Sequence, residues 1–320
     1  MMPGLDAGDL RQAGFEDCFT ELEDSVSSEE DVAVVGPPFG GKEALLDHVA
    51  DREGAERRSL SSLDAAPDLP AGRTVVIDDC HYLFRRRIDG FDRLDAFLDA
   101  VLDADVPVVT SWNRYAWNYL VQVRAVDRVF SRQVAVPKIG RSEVAALVDG
   151  DVTFVDDREE GSSSITGTGR AMFRLAGRTF EVPYPVINME TIRTWREADE
   201  PIEEVIHGRV ATLGDGIPGV VRAVWEASVE DGRIGTKTLY EPPKLEISDR
   251  DARVLQSLVF NEWVGHDELA GVLDVDRLDT VLRTLEHREL VRWDDEEGIG
   301  PEPAALPAII DELERRRLVW

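Results

Sequence analysis

The feature that most constrains this chain is a glycine-rich loop that follows a short apolar segment and precedes a helical one. The apolar segment covers residues 31–35, and the helical pattern begins at Ala44. Between them the sequence has the form G-x-x-x-x-G-K, which in this strand–loop–helix setting is typical of a phosphate-binding loop. Such a loop turns its backbone N–H groups around an anion, and the helix start adds a partial positive charge. The predicted nucleotide-binding residues are Gly36, Pro37, Pro38, Phe39, Gly40, Gly41, Lys42 and Glu43.

The last position of this loop departs from the usual pattern. A Ser or Thr there normally offers its hydroxyl to Mg²⁺, whereas this chain has Glu43. A carboxylate can still bind Mg²⁺, but it also places negative charge beside the phosphates. We therefore expect ATP or ADP to bind with Mg²⁺, and we expect hydrolysis to be weak or absent.

A second apolar run, at residues 73–77, ends in two acids. This is the form of a Walker B strand, in which the first acid holds Mg²⁺ and a second acid polarises the attacking water. The pattern predicts Asp78 as the metal ligand and Asp79 as the catalytic residue, although Asp79 is one methylene shorter than the usual Glu.

The alternation of strands and helices continues beyond these motifs. Apolar strand patterns at residues 106–111 and 133–137 are separated by amphipathic helical patterns, whereas residues 52–72 are polar and are interpreted as a connection. The alternation predicts an α/β fold with a doubly wound parallel sheet, which binds ligands at the carboxyl ends of its strands. Because the strand pattern at 106–111 has a polar exit, we expect Asn113 or Arg114 at that edge, near the γ-phosphate.

The pattern changes towards the C-terminus. Three short helical stretches, at residues 249–260, 266–273 and 275–290, precede a hairpin-like stretch and a last helix, which is the winged-helix order. The predicted organisation is a P-loop NTPase core at 1–150, a hairpin around Ala176–Gly177 with a helical lid at 151–230, a linker at 231–247 and a winged helix at 248–320.

With these motifs in order, the chain resembles AAA+ ATPases, in particular the archaeal origin-recognition and STAND-type branches. Ser131-Arg132 before a strand resembles the element that reaches a neighbouring subunit's nucleotide, so the resemblance implies a nucleotide contact by Arg132 and a homo-oligomer. Gly216-Ile-Pro218 resembles the G-x-P of STAND proteins, whose proline packs on the adenine base. Simpler interpretations stay open: Arg132 as a surface residue, and Gly216 to Pro218 as an ordinary helix stop and start.

Composition adds two expectations. The net charge of −28 is spread along the whole chain, and lysine occurs only four times, which indicates a surface suited to concentrated salt and resembles haloarchaeal proteins. No apolar run approaches the roughly 18 residues of a membrane span, and the N-terminus lacks a signal-peptide pattern. Two cysteines, Cys18 and Cys80, make no disulfide framework. We expect a cytoplasmic protein without a membrane partner.

Two functions fit these features. The first is a nucleotide-operated switch, in which bound ATP or ADP sets the position of the winged helix. The alternative is a DNA-binding protein of replication or transcription, with the P-loop domain in a secondary role. For that alternative, the outward residues of the third C-terminal helix would read a groove, and these are Arg277, Thr280, Arg283, Thr284 and Arg288.

Overall fold

The protein is described by a computed structural model. The described residues are 5–60, 67, 69–70, 72–85, 90–148, 152–158, 166–175, 178–187, 197, 199–273, 277–294 and 298–319, with the backbone alone described for 166–187.

A five-stranded parallel sheet organises the first half of the chain. Its order is β2-β3-β4-β1-β5, so β1 lies between strands that come later in the chain. β1, β3 and β4 are buried along their whole length, as their continuous apolar runs predicted. The predicted doubly wound α/β P-loop NTPase fold is therefore confirmed. The strands are β1 (Val32–Gly36), β2 (Arg57–Ser59), β3 (Val75–Asp78), β4 (Val108–Asn113) and β5 (Arg132–Ala135).

Helices connect and cover these strands. A short π-helical turn, Arg11–Phe15, joins the first two helices, and Gly14 inside it has a φ of +86° that bends the chain. The apolar side of α3 packs on β1, β3 and β4. The helices of this half are α1 (Ala7–Leu10), α2 (Glu16–Ser27), α3 (Lys42–Glu53), α4 (Asp92–Leu102), α5 (Arg114–Arg124) and α6 (Arg141–Leu147).

The middle of the chain combines a long hairpin with two helices. The predicted hairpin is confirmed, since β7 (Thr166–Leu175) and β8 (Arg178–Ile187) pair antiparallel; Ala176–Gly177 lies outside the described residues. Residues 188–196 and 198, which belong to the predicted helical lid, also lie outside the described residues. The remaining elements are β6 (Thr153–Val155), α7 (Ile202–Leu213), α8 (Pro218–Ser228) and β9 (Arg233–Gly235).

The beginning of the predicted linker is built into this middle unit. β9 pairs in parallel with β6. Just beyond it, the Asp157 carboxylate accepts hydrogen bonds from the Thr236 N–H and hydroxyl, both at 2.7 Å, and from the Lys237 N–H at 2.9 Å. Beyond β9, residues 236–247 of this connection contain no helix or strand, and all of them are described.

The last part of the chain, residues 248–319, is called the C-terminal segment below. Ser248 caps its first helix by accepting a hydrogen bond from the Asp251 N–H at 3.2 Å. Three helices, an antiparallel hairpin and a last helix follow in the predicted order. They are α9 (Asp249–Asn261), α10 (His266–Val272), α11 (Leu278–His287), β10 (Val291–Asp294), β11 (Gly298–Pro301) and α12 (Leu306–Arg315).

Candidate functional site

The glycine-rich loop closes at the carboxyl end of β1. The Gly40 N–H donates to the Pro37 carbonyl at 3.1 Å, with Pro38 inside the turn. Phe39 and Gly41 have φ of +61° and +88°, so the backbone takes the left-handed conformation at two nearby positions. A Cβ on Gly40 would lie 3.0 Å from the Pro37 oxygen, and one on Gly36 would lie 2.8 Å from a neighbouring valine methyl. The loop can therefore keep its concave shape only with glycine at positions 36 and 40.

Lys42 is the first residue of α3, and its ammonium group lies inside the loop. The side chain is 5% exposed, and Nζ donates to the Pro37 carbonyl at 3.0 Å. Its second partner is distant in sequence: Nζ lies 2.7 Å from Oε1 of Glu262, at the end of α9. Burial lowers the pKa of Lys42, but Glu262, followed by Asp79 and Asp78, raises it, and the net shift is upward. Lys42 is therefore a buried cation held by a carboxylate of the C-terminal segment.

Asn113, the last residue of β4, joins the same contact. Its Oδ1 caps α5 by accepting from the Tyr115 N–H at 2.9 Å, which fixes the side chain. Its Nδ2 donates to Glu262 Oε1 at 3.0 Å and to the Val259 carbonyl at 2.8 Å. The structure thus brings Lys42 and Asn113 together around one carboxylate oxygen.

Residues on either side of Glu262 are tied to the sheet domain as well. The Asn261 carbonyl lies 3.2 Å from His81 Nε2, and the Trp263 carbonyl accepts a hydrogen bond from the Tyr82 hydroxyl. The Trp263 ring meets the Phe39 ring edge to face, with 6.5 Å between centroids. Below, "the closed arrangement" means this set of contacts made by residues 259–263.

The backbone of Glu262 is strained. Its φ of 62° and ψ of −68° place it at the centre of a γ-turn, which the Trp263 N–H closes by donating to the Asn261 carbonyl at 2.7 Å. A non-glycine residue in such a conformation costs on the order of 1–3 kcal/mol and persists only where its surroundings hold it. The contacts of the closed arrangement are those surroundings.

The Walker B acids lie on the other side of Lys42. Asp78 is 1% exposed, and both of its oxygens are occupied. Oδ2 lies 2.5 Å from Nη2 of Arg57, and Oδ1 accepts from the Ser111 hydroxyl and, at 2.9 Å, from the Asp79 N–H. The predicted catalytic residue, Asp79, has a φ of +58° and accepts from the Ser59 hydroxyl at 2.8 Å.

This donor set does not fit Mg²⁺. Mg²⁺ requires octahedral oxygen ligands at about 2.0–2.1 Å, including several waters. Here the Arg57 guanidinium holds the Asp78 oxygen, and Glu43 replaces the hydroxyl expected in the loop. Within the described ranges, no group of three His, Cys, Asp or Glu side chains is placed to hold a metal ion. The structure therefore gives no support to the prediction of Asp78 as a magnesium ligand.

Pro218 lies beside the loop, whereas Arg132 does not. The Gly219 N–H, one residue after Pro218, donates to the Phe39 carbonyl at 2.9 Å, so the start of α8 is joined to the loop. Arg132 begins β5 opposite Val32, at the sheet edge away from the loop. Its guanidinium lies 3.5 Å from Glu30, and the side chain is half exposed. Within one chain, Arg132 is not part of this site; a contact with another chain's nucleotide stays a prediction.

Comparisons with known proteins give a distant likeness only. No protein-family profile and no curated protein sequence matches the chain. Among solved structures, it is similar to the RuvB Holliday junction branch migration motor of Thermotoga maritima, at 15% identity and a TM-score of 0.37, covering 92% of this chain and 94% of that chain. A Walker-type ATPase of Pyrococcus abyssi gives 13% identity and a TM-score of 0.41, with 92% and 95% covered. The ORC1 protein of Aeropyrum pernix in complex with DNA gives 12% identity and a TM-score of 0.34, with 95% and 94% covered. Values this low say nothing about what this chain binds.

Arg57, Ser59 and Glu262 are among the contributors to the site that were not predicted from the sequence. Arg57 and Ser59 belong to a three-residue polar strand inside the stretch interpreted as a connection, and Glu262 lies 220 residues from its partner Lys42. For Arg57 and Ser59, the only local signal is their spacing of two residues, which places both side chains on the same face of a strand. For Glu262 the sequence holds no signal of the contact.

Among the described residues, no helix is long and apolar enough to cross a bilayer.

Proposed function

We propose that this protein is a nucleotide-operated switch of the AAA+/STAND kind. In this proposal ADP or ATP binds in the loop of residues 36–43, and the C-terminal segment leaves the loop when the phosphates arrive. The observation that carries the proposal is the 2.7 Å contact between Lys42 and Glu262. It places an anionic group of the C-terminal segment on the lysine that a phosphate would need.

Competition for Lys42 supplies the switching force. A nucleotide phosphate and the Glu262 carboxylate are both anions, and two anions at one buried ammonium group repel each other strongly where the dielectric constant is low. ADP and ATP carry more charge than one carboxylate, so they displace it. The strained backbone of Glu262 relaxes when the segment leaves, which favours opening.

Other residues take supporting roles in this proposal. Pro218 starts α8 next to the loop and packs against the adenine base, as the G-x-P resemblance implies. Asn113, released from Glu262, turns its amide towards the terminal phosphate. Hydrolysis is weak or absent, because Glu43 replaces the usual hydroxyl and Asp79 is a short water-positioning acid. Arg132 reaches the nucleotide of a second copy if the chain assembles.

The test is calorimetric titration of the full chain with ADP in molar KCl. Glu262→Gln keeps the size of the side chain and removes the competing charge. We expect ADP affinity to rise about tenfold, because a charge-assisted hydrogen bond contributes about 1.5–3 kcal/mol and 1.4 kcal/mol is tenfold. Lys42→Ala should lower affinity by about 1–3 kcal/mol.

The matched control is Glu286→Gln, which removes one exposed carboxylate from α11 of the same segment. It should leave ADP affinity unchanged. If Glu262→Gln instead weakens ADP binding, Glu262 belongs to the nucleotide-bound state and the competition is refuted. Equal affinities in wild type and Lys42→Ala would refute the nucleotide site itself.

A further inference from the structure

An arginine occupies the place in this site where a metal ion would be expected. Arg57 reaches from the edge strand β2 to three carboxylates. Its Nη2 lies 2.5 Å from Asp78 Oδ2 and 3.9 Å from Glu43 Oε1, and its Nη1 lies 2.6 Å from Asp47 Oδ1. Glu43 and Asp47 stand one turn apart on α3, and Asp78 ends β3. The guanidinium therefore joins the Walker B strand to the helix that begins at the phosphate-binding loop.

The contact is built into the interior. Asp78 is buried, and Nε of Arg57 is itself buried without a hydrogen-bond partner. A buried carboxylate needs a partner of opposite charge, and here that partner is a guanidinium that cannot lose its proton. Burial lowers the pKa of Arg57, but Asp78, Asp47 and Glu43 raise it, with a net upward shift. Arg57 is thus a permanent cation fixed at the end of the Walker B strand.

The second oxygen of Asp78 leaves no free coordination site either. It accepts from the Ser111 hydroxyl and from the Asp79 N–H. A magnesium ion bound there would have to break one of these contacts and lie next to a guanidinium, which repels it. At the loop position that usually offers a hydroxyl, the Glu43 side chain is turned towards Arg57.

We infer that Arg57 takes the place of the divalent cation in this site, so that the chain binds its nucleoside diphosphate or triphosphate without a metal ion. The inference rests on the proposed nucleotide function. Lys42 and Arg57 then supply the two fixed cations against which the phosphate charge is held. Guanidinium suits this task because it keeps its positive charge even when it is partly buried. Binding of the nucleotide therefore requires no magnesium ion.

The experiment is titration of the full chain with ADP and with ATP in molar KCl, once with excess EDTA and once with MgCl₂. Wild type should bind with dissociation constants that agree within about threefold in the two buffers. Arg57→Ala should bind at least tenfold more weakly in EDTA, and part of that loss should be recovered in MgCl₂, since Asp78 is then free to hold a metal ion. Arg57→Lys should lie between wild type and Arg57→Ala in EDTA.

The matched control is Arg58→Ala. Arg58 is the next residue of β2, so it points to the other face of the sheet, and its guanidinium lies 3.9 Å from Glu56. The Arg58→Ala variant should bind ADP and ATP with wild-type affinity in both buffers. If Arg57→Ala fails to fold because Asp78 is left bare, the double variant Arg57→Gln/Asp78→Asn removes both charges. That variant should lose affinity in EDTA and recover none of it in MgCl₂.

A second measurement does not depend on nucleotide. Electron paramagnetic resonance of Mn²⁺ in molar KCl should show one more tightly bound ion in Arg57→Ala than in wild type or Arg58→Ala. Nucleotide binding by wild type that needs MgCl₂, or unchanged binding by Arg57→Ala in EDTA, overturns this inference and leaves the proposed function standing. Failure of wild type to bind nucleotide in either buffer overturns both.

Discussion

At the scale of single residues, the site holds more negative than positive charge. Five carboxylates, those of Glu43, Asp47, Asp78, Asp79 and Glu262, surround the two cations Lys42 and Arg57. Asp78 and Glu262 each make short ion pairs, at 2.5 and 2.7 Å. A site for phosphates can tolerate this excess only if one carboxylate is able to move away. Glu262 is the one attached to a separate segment of the chain.

Asp79 is the residue whose charge is least compensated. Burial, Asp78 and Glu262 raise its pKa well above the usual range, although the Ser59 hydroxyl and Lys42 act in the opposite direction. A raised pKa means that the folded protein keeps this proton at pH values where the unfolded chain has lost it. The free energy of unfolding therefore falls as pH rises from about 4, the ordinary value for Asp, through the folded pKa. At neutral pH, which lies above the ordinary pKa of Asp, Asp79 therefore destabilises the fold.

We therefore expect Asp79→Asn to raise the melting temperature at pH 7. The substitution removes the charge and retains an oxygen that can accept from Ser59, and Asn tolerates the φ of +58° at this position. The gain over wild type should shrink as pH approaches 4, where the aspartate carries its proton as well. Melting of both proteins from pH 4 to pH 8, in molar KCl, measures the difference. A gain that does not vary with pH would show that charge is not its cause.

At the scale of elements, the start of α8 is hydrogen-bonded to the glycine-rich loop. The Gly219 N–H donates to the Phe39 carbonyl, and a Cβ on Gly219 would lie 2.8 Å from that same oxygen. This oxygen belongs to the backbone, so it cannot move aside as the end of a flexible side chain can. Any side chain at this position must therefore push α8 away from the loop.

Gly219→Ala should weaken ADP binding about tenfold, the effect of losing one charge-assisted contact of about 1.4 kcal/mol. It should leave the fold intact, because alanine favours helices more than glycine does. Gly271→Ala is the control: Gly271 also lies in a helix, α10, but a Cβ added there would meet no atom within 4 Å. Calorimetry with ADP should show wild-type affinity for the control. Equal affinities in both variants would mean that the lid contact does not influence the loop.

The elements predicted from the sequence and those missed differ in a physical way. β1, β3 and β4 are buried on both faces, so their apolar runs identify them without tertiary information. β2 is a three-residue edge strand whose polar side chains belong to the site. Its residues therefore lack the hydrophobic pattern by which a strand is predicted. The loop and Asn113 could be placed because chain order fixes the carboxyl edge of the sheet. Glu262 could not, since its position depends on how a distant segment docks.

At the scale of the whole molecule, we expect surface charge to make stability depend on salt. The net charge of −28 is carried by 64 acidic residues against 36 basic ones. Like charges at this density repel each other, and molar salt, with a Debye length of about 3 Å, screens the repulsion. We expect the melting temperature to fall steeply as KCl is lowered from molar to tenths of a molar. Sucrose, which stabilises folded proteins without screening charge, serves as the control and should not replace KCl. A flat salt profile would contradict the adaptation to concentrated salt.

Opening of the closed arrangement is the remaining whole-molecule prediction. The contact of Lys42 with Glu262 is buried, and salt screens buried pairs much less than exposed ones, so the closed arrangement should persist in molar KCl. Hydrogen exchange should then respond to ADP in two opposite ways. Amides of the loop, residues 36–43, should exchange more slowly because the phosphates hold them. Amides of residues 259–264 should exchange about tenfold faster, since about 1.4 kcal/mol of local contacts is lost there.

Glu262→Gln separates this opening from general stiffening or loosening by ligand. Without ADP, its residues 259–264 should already exchange faster than those of wild type, because the charge on Lys42 no longer holds them. Added ADP should then change the exchange rates of residues 259–264 little, while the amides of the loop still exchange more slowly. The buried strand β1 serves as the internal reference and should not change in either protein. Protection of residues 259–264 by ADP in wild type would mean that nucleotide and Glu262 occupy the site together, and the switch would have to operate by closing and not by opening.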